Sequence, residues 1–411
     1  MMAAEGPILA AILARLAEPK QNLAAYGVAI AIAMLVEAPI IMVMSAANTL
    51  VVDRRSYRTL RDFSFALDAL VTLFMGLVAI PPVFAELASL LALPEAVASR
   101  TWTATVLLLP WPGAIGYRRL YQGILIRSGT TRLVAYGTVI RLVTMALTGV
   151  VLALATRLEG ASIGAASLSA GVVAEAIGSR WMAREAVASL RDSERPALGW
   201  GEVARFYYPL AMTSLLNMGI QPIVTFFAAR GRMPIESLAV LPVVNSLVFL
   251  FRTFGLAGQE TFIALDSEGR EPLRRFAYVL AAVASGGLAL IGWTPLAHAW
   301  FEHVSGLTPF LAGISVWPTR VLALMPALTV WMCWQRATLV TTRVTGPVTA
   351  ATAIEVGSVA LVMMAGNALG AMGILSAAFA LTVGRLANNT YLMRPGRAAL
   401  AQSAQQRNPV E

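Results

Sequence analysis

The chain has 411 residues, of which 58% are hydrophobic and 13% charged. Soluble domains carry about 25% charged residues, so this composition excludes an ordinary soluble domain and predicts an all-α integral membrane protein. The formal charge of +9 is read as arginines gathered in loops on one side of a membrane, not as a nucleic-acid surface. Arginine replaces lysine almost everywhere, Lys20 excepted, as in GC-rich bacterial genomes. The single cysteine, Cys333, leaves no disulfide framework and reads as packing.

The first stretch, Ala3 to Leu16, is apolar but too short to span a bilayer, which takes about 20 residues. It lacks the basic start and cleavage site of a signal peptide. An internal repeat accounts for it. At an offset of 215, Gly6-Pro7-Ile8 matches Gln221-Pro222-Ile223 and Ala14-Arg15 matches Ala229-Arg230. The second copy has a further helical stretch, Glu202 to Ile220, which the first copy lacks. The first helix is therefore expected to be truncated, by a late start codon or as a shortened form.

The second helix, Asn22 to Val52, carries Glu37 near its middle, followed by Pro39. The same offset of 215 lays Leu23, Ala24, Val28 and Leu50 on Leu238, Ala239, Val243 and Leu265, and Glu37 on Arg252. A charge at membrane depth costs at least ~2.5 kcal/mol and is normally turned away from lipid. Arg54, Arg55, Arg58 and Arg61 are expected in a basic loop. A third helix follows from about Phe63 to Ile80, with Asp68 close to its cytoplasmic, interfacial end. Val83 to Ser99 is expected as an amphipathic connection. A fourth helix, about Trp102 to Ile126, is bent by Pro110 and Pro112, with Arg118, Arg119, Arg127 and Arg132 marking its inner end. The fifth, about Leu133 to Thr156, contains Arg141. The sixth, about Ala161 to Leu190, contains Glu175 and is rich in the small residues that let membrane helices approach closely.

The polar run 191–201 is expected to link two lobes, 1–190 and 202–395, with a loose polar tail over 396–411. The second lobe repeats the plan: a seventh helix to about Ala229, an eighth from about Ile235, and others at about Leu273–Trp293, Pro309–Thr341, Pro347–Leu369 and Ala371–Met393. Loops after the even-numbered helices hold most of the arginines, which predicts that they and the C-terminus are cytoplasmic. Six helices per half then give a parallel repeat about an axis along the membrane normal.

Two further matches resemble the Glu37–Arg252 swap. Arg141 falls on Glu355 at an offset of 214, and Glu175 falls on Arg385 at 210. Arg141 with Glu175, and Glu355 with Arg385, lie on adjacent antiparallel helices and are expected to neutralise each other within their own lobe. Glu37 and Arg252 are supplied one per half, so they are expected to meet or to flank a shared aqueous cleft. Asn217, Gln221 and Asn245 suit the lining of that cleft, although interhelical hydrogen bonding explains them nearly as well. Glu5, some ten residues before the end of the first helix, is a candidate proton or cation carboxylate. Its alternative is a terminal acid in a frayed segment.

Enzyme signatures are absent. His298 and His303 are the only histidines, and no HExxH, GxSxG, P-loop or cysteine cluster occurs. No catalytic residue, metal or cofactor is expected.

The segments NLAAYGVAIAIAML in the second helix, FYYPLAMTSLLNMGIQPIVTFFAARG in the seventh and ESLAVLPVV at the start of the eighth carry a family likeness. With the twelve-helix plan and no nucleotide site, the chain resembles the multidrug and toxic-compound extrusion (MATE) transporters. These lie within a larger group that also holds flippases for lipid-linked oligosaccharides. In texture it is closer to the progressive ankylosis branch. The resemblance implies a two-lobe secondary exporter of a small organic solute, switching between outward and inward openings in a bacterial inner membrane. MATE proteins exchange protons or sodium for organic cations, often through an acid in the first helix, a place only Glu5 can fill here. The ankylosis branch is associated with export of anions. The alternatives are a flippase for a lipid-linked substrate and a membrane-embedded enzyme or assembly scaffold. The expected partners are a small-molecule or ion substrate and membrane lipids, with no nucleic acid, and a monomer is expected.

Overall fold

The computed structural model describes residues 5–191, 198–264, 270–341 and 346–407. Most of the expected linker, 192–197, and the last of the expected tail, 408–411, lie outside the described residues. Every described element is helical. Among the described residues, nine helical stretches are long and apolar enough to cross a membrane. Their outer faces carry large apolar side chains, such as Leu73, Leu154, Val283 and Leu361, as a lipid-facing surface requires.

The chain forms two compact units, residues 1–225 and 226–411. In the first, α1 (Glu5–Ala14) is followed by α2 (Pro19–Glu37). The expected single helix from Asn22 to Val52 is interrupted. Ala38–Ile40 form a 3₁₀ turn, and α3 (Val43–Leu50) resumes beyond it. Pro39 is the cause, since it has no N–H for the α-helical ladder and its ring clashes with the preceding turn.

Next comes α4 (Arg54–Ala79), which starts well before the expected Phe63. Asp53 and Ser56 make a capping box: Ser56 N–H donates to Asp53 Oδ1 at 2.7 Å, and Asp53 N–H to Ser56 Oγ at 3.0 Å. Arg54, Arg55, Arg58 and Arg61 therefore lie on the first turns of this helix and not in a loop.

The expected amphipathic connection is helical, as α5 (Pro81–Leu90) and the start of α6 (Glu95–Leu107). The expected bend at Pro110 is a break, after which α7 (Pro110–Arg127) begins. α8 (Thr131–Ala155) and α9 (Gly160–Met182) form an antiparallel pair, followed by the short α10 (Arg184–Ala188). α11 (Trp200–Met218) and α12 (Ile220–Ala228) replace the single seventh helix, with Gly219 between them. Although expected to open the second lobe, α11 packs on α4 and on the turn at Pro39. Tyr207 Oη donates to the Pro39 carbonyl, and the Phe63 ring meets Trp200 and Tyr207 edge-on at 5.8 and 5.6 Å.

The second unit contains α13 (Pro234–Ala264), α14 (Arg270–Trp293) and a short turn, α15 (Leu296–His298), that runs into a π-helical segment, Ala299–Val304. α16 (Pro309–Leu322) and α17 (Met325–Thr341) are again separated just before a proline, Pro326. α18 (Gly346–Ala368) and α19 (Gly373–Arg407) complete it. The tail expected to be loose over 396–411 instead continues α19 to Arg407.

The neighbour pattern is the same in both units. α7 packs on α4 and α9, and α8 on α9; α17 packs on α14 and α19, and α18 on α19. Glycine permits a close helix approach at equivalent places in each. A Cβ on Gly171 of α9 would stand 2.9 Å from the Arg141 carbonyl, and one on Gly384 of α19 would stand 3.0 Å from the Glu355 carbonyl. The backbones of α8 and α18 thus pass directly against these glycines, the small-residue packing that membrane helices use.

Candidate functional site

In the first unit the buried charges converge on Glu175. Arg118 and Gln122 lie one turn apart on α7, so both face α9. Arg118 Nη1 is 2.6 Å from Glu175 Oε2, and Gln122 Nε2 donates to Glu175 Oε1 at 3.0 Å. Arg141 of α8 approaches the same carboxylate less closely, at 3.6 Å. It pairs instead with Glu5 of α1 through Nη2, and its guanidinium lies 5.7 Å from the centre of the Trp111 ring. Trp111 Nε1 in turn donates to Glu37 Oε2. Glu37, Trp111, Arg141, Glu5, Glu175 and Arg118 therefore form one buried chain of contacts.

The second unit repeats this frame with other charges. Arg385 Nη2 of α19 is 2.9 Å from Glu355 Oε1 of α18, and Asn388 Nδ2 donates to Glu355 Oε2 at 2.7 Å. Arg385 also touches Met332 Sδ of α17. Arg336, one turn beyond Met332, donates to Thr352 Oγ1 at 3.2 Å. Arg252 Nε of α13 donates to Thr329 Oγ1 of α17 at 3.2 Å and lies within electrostatic reach of Arg385 and Glu355.

The expected residues are thus distributed as follows. Glu355 and Arg385 pair directly, whereas Glu175 takes Arg118 as its nearest cation and Arg141 takes Glu5. Glu37 and Arg252 sit in different units, and each has a partner within its own, Trp111 of α7 and Thr329 of α17. Asn217 and Gln221 in the first unit and Asn245 in the second are half-buried, and none lacks a partner.

Two positions were not expected here. Arg118, read as an inner-end marker, is 1% exposed and carries the shortest contact to Glu175 that Arg118, Gln122 and Arg141 supply. Asp68, read as interfacial, lies near the middle of α4 and is buried. Among the described residues no cluster of three or more His, Cys, Asp or Glu side chains is placed to hold a metal.

No protein-family profile and no curated protein sequence matches the chain. Solved structures do. An inward-facing multidrug resistance MATE transporter of the MOP superfamily superposes with a TM-score of 0.76 at 14% identity, covering 98% of this chain and 95% of that one. The lipid II flippase MurJ, in an inward closed conformation, gives 0.74 at 13% identity over 96% and 85%. A MOP superfamily transporter from Pyrococcus furiosus, described by a binding pocket of reverse polarity, gives 0.59 at 13% identity over 97% and 95%. The chain therefore has the MATE-like fold, over nearly its whole length. These neighbours share that fold and do not single out the ankylosis branch.

Proposed function

We propose that the protein is a secondary active transporter that exports a small organic solute by alternating access, driven by a proton or sodium gradient. Glu37, Arg252, Asn217, Gln221 and Asn245 line the substrate path in this reading, and Glu5 is a coupling carboxylate. The observation that carries it is the placing of Glu37 and Arg252. Glu37 is buried on α2 and held by Trp111 of α7, and Arg252 is half-buried on α13 and held by Thr329 of α17. The full-length likeness to MATE transporters supports the same reading.

The second unit favours an anionic solute. Among its described residues, buried Arg385 and half-buried Arg252 and Arg336 share one buried carboxylate, Glu355. Excess buried positive charge is costly unless an anion relieves it. The sequence texture of the ankylosis branch points the same way. The proposed setting is a bacterial inner membrane with a cytoplasmic C-terminus, on the arginine distribution of the loops.

A flippase for a lipid-linked substrate is the second reading, favoured by the likeness to MurJ. Purified protein in proteoliposomes, offered organic anions and cations under imposed proton and sodium gradients, tests both. Gradient-driven movement of a soluble ion supports the transporter. Movement of a lipid-linked substrate, with no soluble ion carried, supports the flippase. Neither activity would sink both.

A further inference from the structure

Unit 1 contains a carboxylate that the charge network does not use. Asp68 sits near the middle of α4, a membrane-length helix, and is 7% exposed. Its Oδ1 is buried with no hydrogen-bond partner. The side chain lies against Gly116 of α7, where a Cβ would overlap the carboxylate and would stand 2.6 Å from Ile40 Cγ2. The carboxylate thus occupies the space that a side chain at 116 would fill.

The buried charged and titratable groups of the surrounding elements are engaged elsewhere, with one exception. On α7, Arg118 is turned to Glu175, Arg119 to Met44 Sδ, and Tyr117 is stacked on Phe65. Tyr121 of α7 meets the Tyr117 ring and the Arg180 guanidinium. On α2, Glu37 is bound by Trp111 and Tyr26 is buried with Glu5 and Arg141 in reach. On α6, Arg100 pairs with Glu18 and Glu159, and Glu86 of α5 is exposed. α3 carries no titratable side chain. The exception is Tyr207 of α11, which lies within electrostatic reach of Asp68 while donating its hydroxyl to the Pro39 carbonyl.

Oδ1 of an ionised carboxylate in this place has no donor among the described residues, and a buried charge without one is costly. A metal cation would need several oxygen ligands around it, and Gly116 and Ile40 offer no side-chain oxygen. A proton needs only the carboxylate. We propose that Asp68 is a proton-binding site, occupied while α4 is seated on Gly116 and vacated when that junction opens. The site lies where α4 meets α7, the broken turn at Pro39 and α11, so its occupancy is tied to how these elements pack. A role in coupling rests on the transporter reading, whereas proton binding does not.

The test is infrared difference spectroscopy of the full-length protein in lipid nanodiscs, titrated with acid and base. The expected result is a carboxylic-acid C=O band at neutral pH that is lost in Asp68→Asn, a near-isosteric change. Gly116→Ala, which displaces the carboxylate, should move the same band to more acidic pH. A neutral-pH spectrum unchanged by Asp68→Asn overturns the proposal. So does a sodium-dependent rise in thermal stability that wild type shows and Asp68→Asn lacks, since the ligand is then sodium. In proteoliposomes, Asp68→Asn should retain solute exchange but lose proton-driven accumulation. An intact Asp68 band in a protein that transports nothing would overturn the transporter reading and leave the site standing. Transport with no such band would do the reverse.

Discussion

Arg118 and Glu175 form an ion pair of 2.6 Å inside the first unit, and the residues at their equivalent places in the second, Met332 and Arg385, also touch. The third corner of the frame changes sign as well, from Arg141 to Glu355. The helix packing, with Gly171 and Gly384 against the neighbouring backbones, is kept while the charges are inverted. The first unit pairs Arg118 with Glu175 and Arg141 with Glu5, whereas the second gathers Arg252, Arg336 and Arg385 around one carboxylate, Glu355.

Removing Glu175 should therefore be severe. Glu175→Gln leaves Arg118 buried without a carboxylate, and loss of one partner of a dry buried pair typically costs about 3–5 kcal/mol. Adding Arg118→Met copies the methionine of the second unit and removes the stranded charge. The double variant should recover at least about 2 kcal/mol, because apolar replacement of a buried pair is often neutral. Thermal unfolding in nanodiscs reads both. Equal stability of Glu175→Gln and wild type would show that Arg118 does not depend on this carboxylate.

Much of the fold is legible in the sequence because hydrophobic runs and their repeat are. The order of the helices follows from the apolar runs, the swap of Glu37 for Arg252 from the offset of 215, and the meeting of Glu355 with Arg385 from their places on adjacent antiparallel helices. What escapes has particular causes. Asp68 looks interfacial only if its helix starts at Phe63; the Asp53–Ser56 cap moves the start to Arg54 and brings Asp68 to mid-helix. Arg118 hides in a run of arginines that the positive-inside pattern explains too readily. Its spacing of four from Gln122 was the available signal of a buried polar face. The stretch after Arg394 is polar, but its alanines and glutamines are good helix formers, and polarity alone does not end a helix.

Two glycines should respond in opposite ways. A Cβ on Gly123 of α7 would stand 2.5 Å from the Met44 carbonyl and 2.6 Å from Ala47 Cβ. Gly123→Ala must push α3 away from α7, at about 1–3 kcal/mol for an overpacked contact. Gly357 of α18 has nothing within 4 Å of its would-be Cβ. Gly357→Ala should leave stability unchanged or raise it by up to ~1 kcal/mol through helix propensity. Melting of the two variants side by side decides it, and equal losses would contradict the packing at α3.

Tyr207→Phe removes the hydroxyl that reaches the Pro39 carbonyl. The carbonyl is then left without that donor, at a cost of about 1 kcal/mol. The local consequence is the more telling one. Hydrogen exchange should quicken at the end of α2 and in the turn 38–40, with little change in α8 and α9. Uniform protection across the first unit, as in wild type, would mean that α11 docks through Phe63 and Trp200 alone.

Glu37 and Arg252 are the residues on which the proposed transport path depends. Each has a polar partner in its own unit, Trp111 Nε1 and Thr329 Oγ1. Glu37→Gln keeps an acceptor for Trp111, so its stability cost should stay below ~1.5 kcal/mol, the scale of one net hydrogen bond. Arg252→Gln loses the reach to Thr329 but also removes a cation from a unit rich in them, and should cost no more. Transport should respond differently. A contact between substrate and a charged group is worth about 1.5–3 kcal/mol, so each single variant should lower the rate about tenfold or more. The charge-swapped double variant, Glu37→Arg with Arg252→Glu, separates two cases. If the pair meets only itself, the swap restores stability and rate together. If each residue faces substrate or the coupling ion, the swap leaves transport low while the protein stays folded, which is the outcome expected here. Wild-type rates in both single variants would remove the two residues from the path. The search would then move to Glu5 and to the polar side chains of α11 and α12.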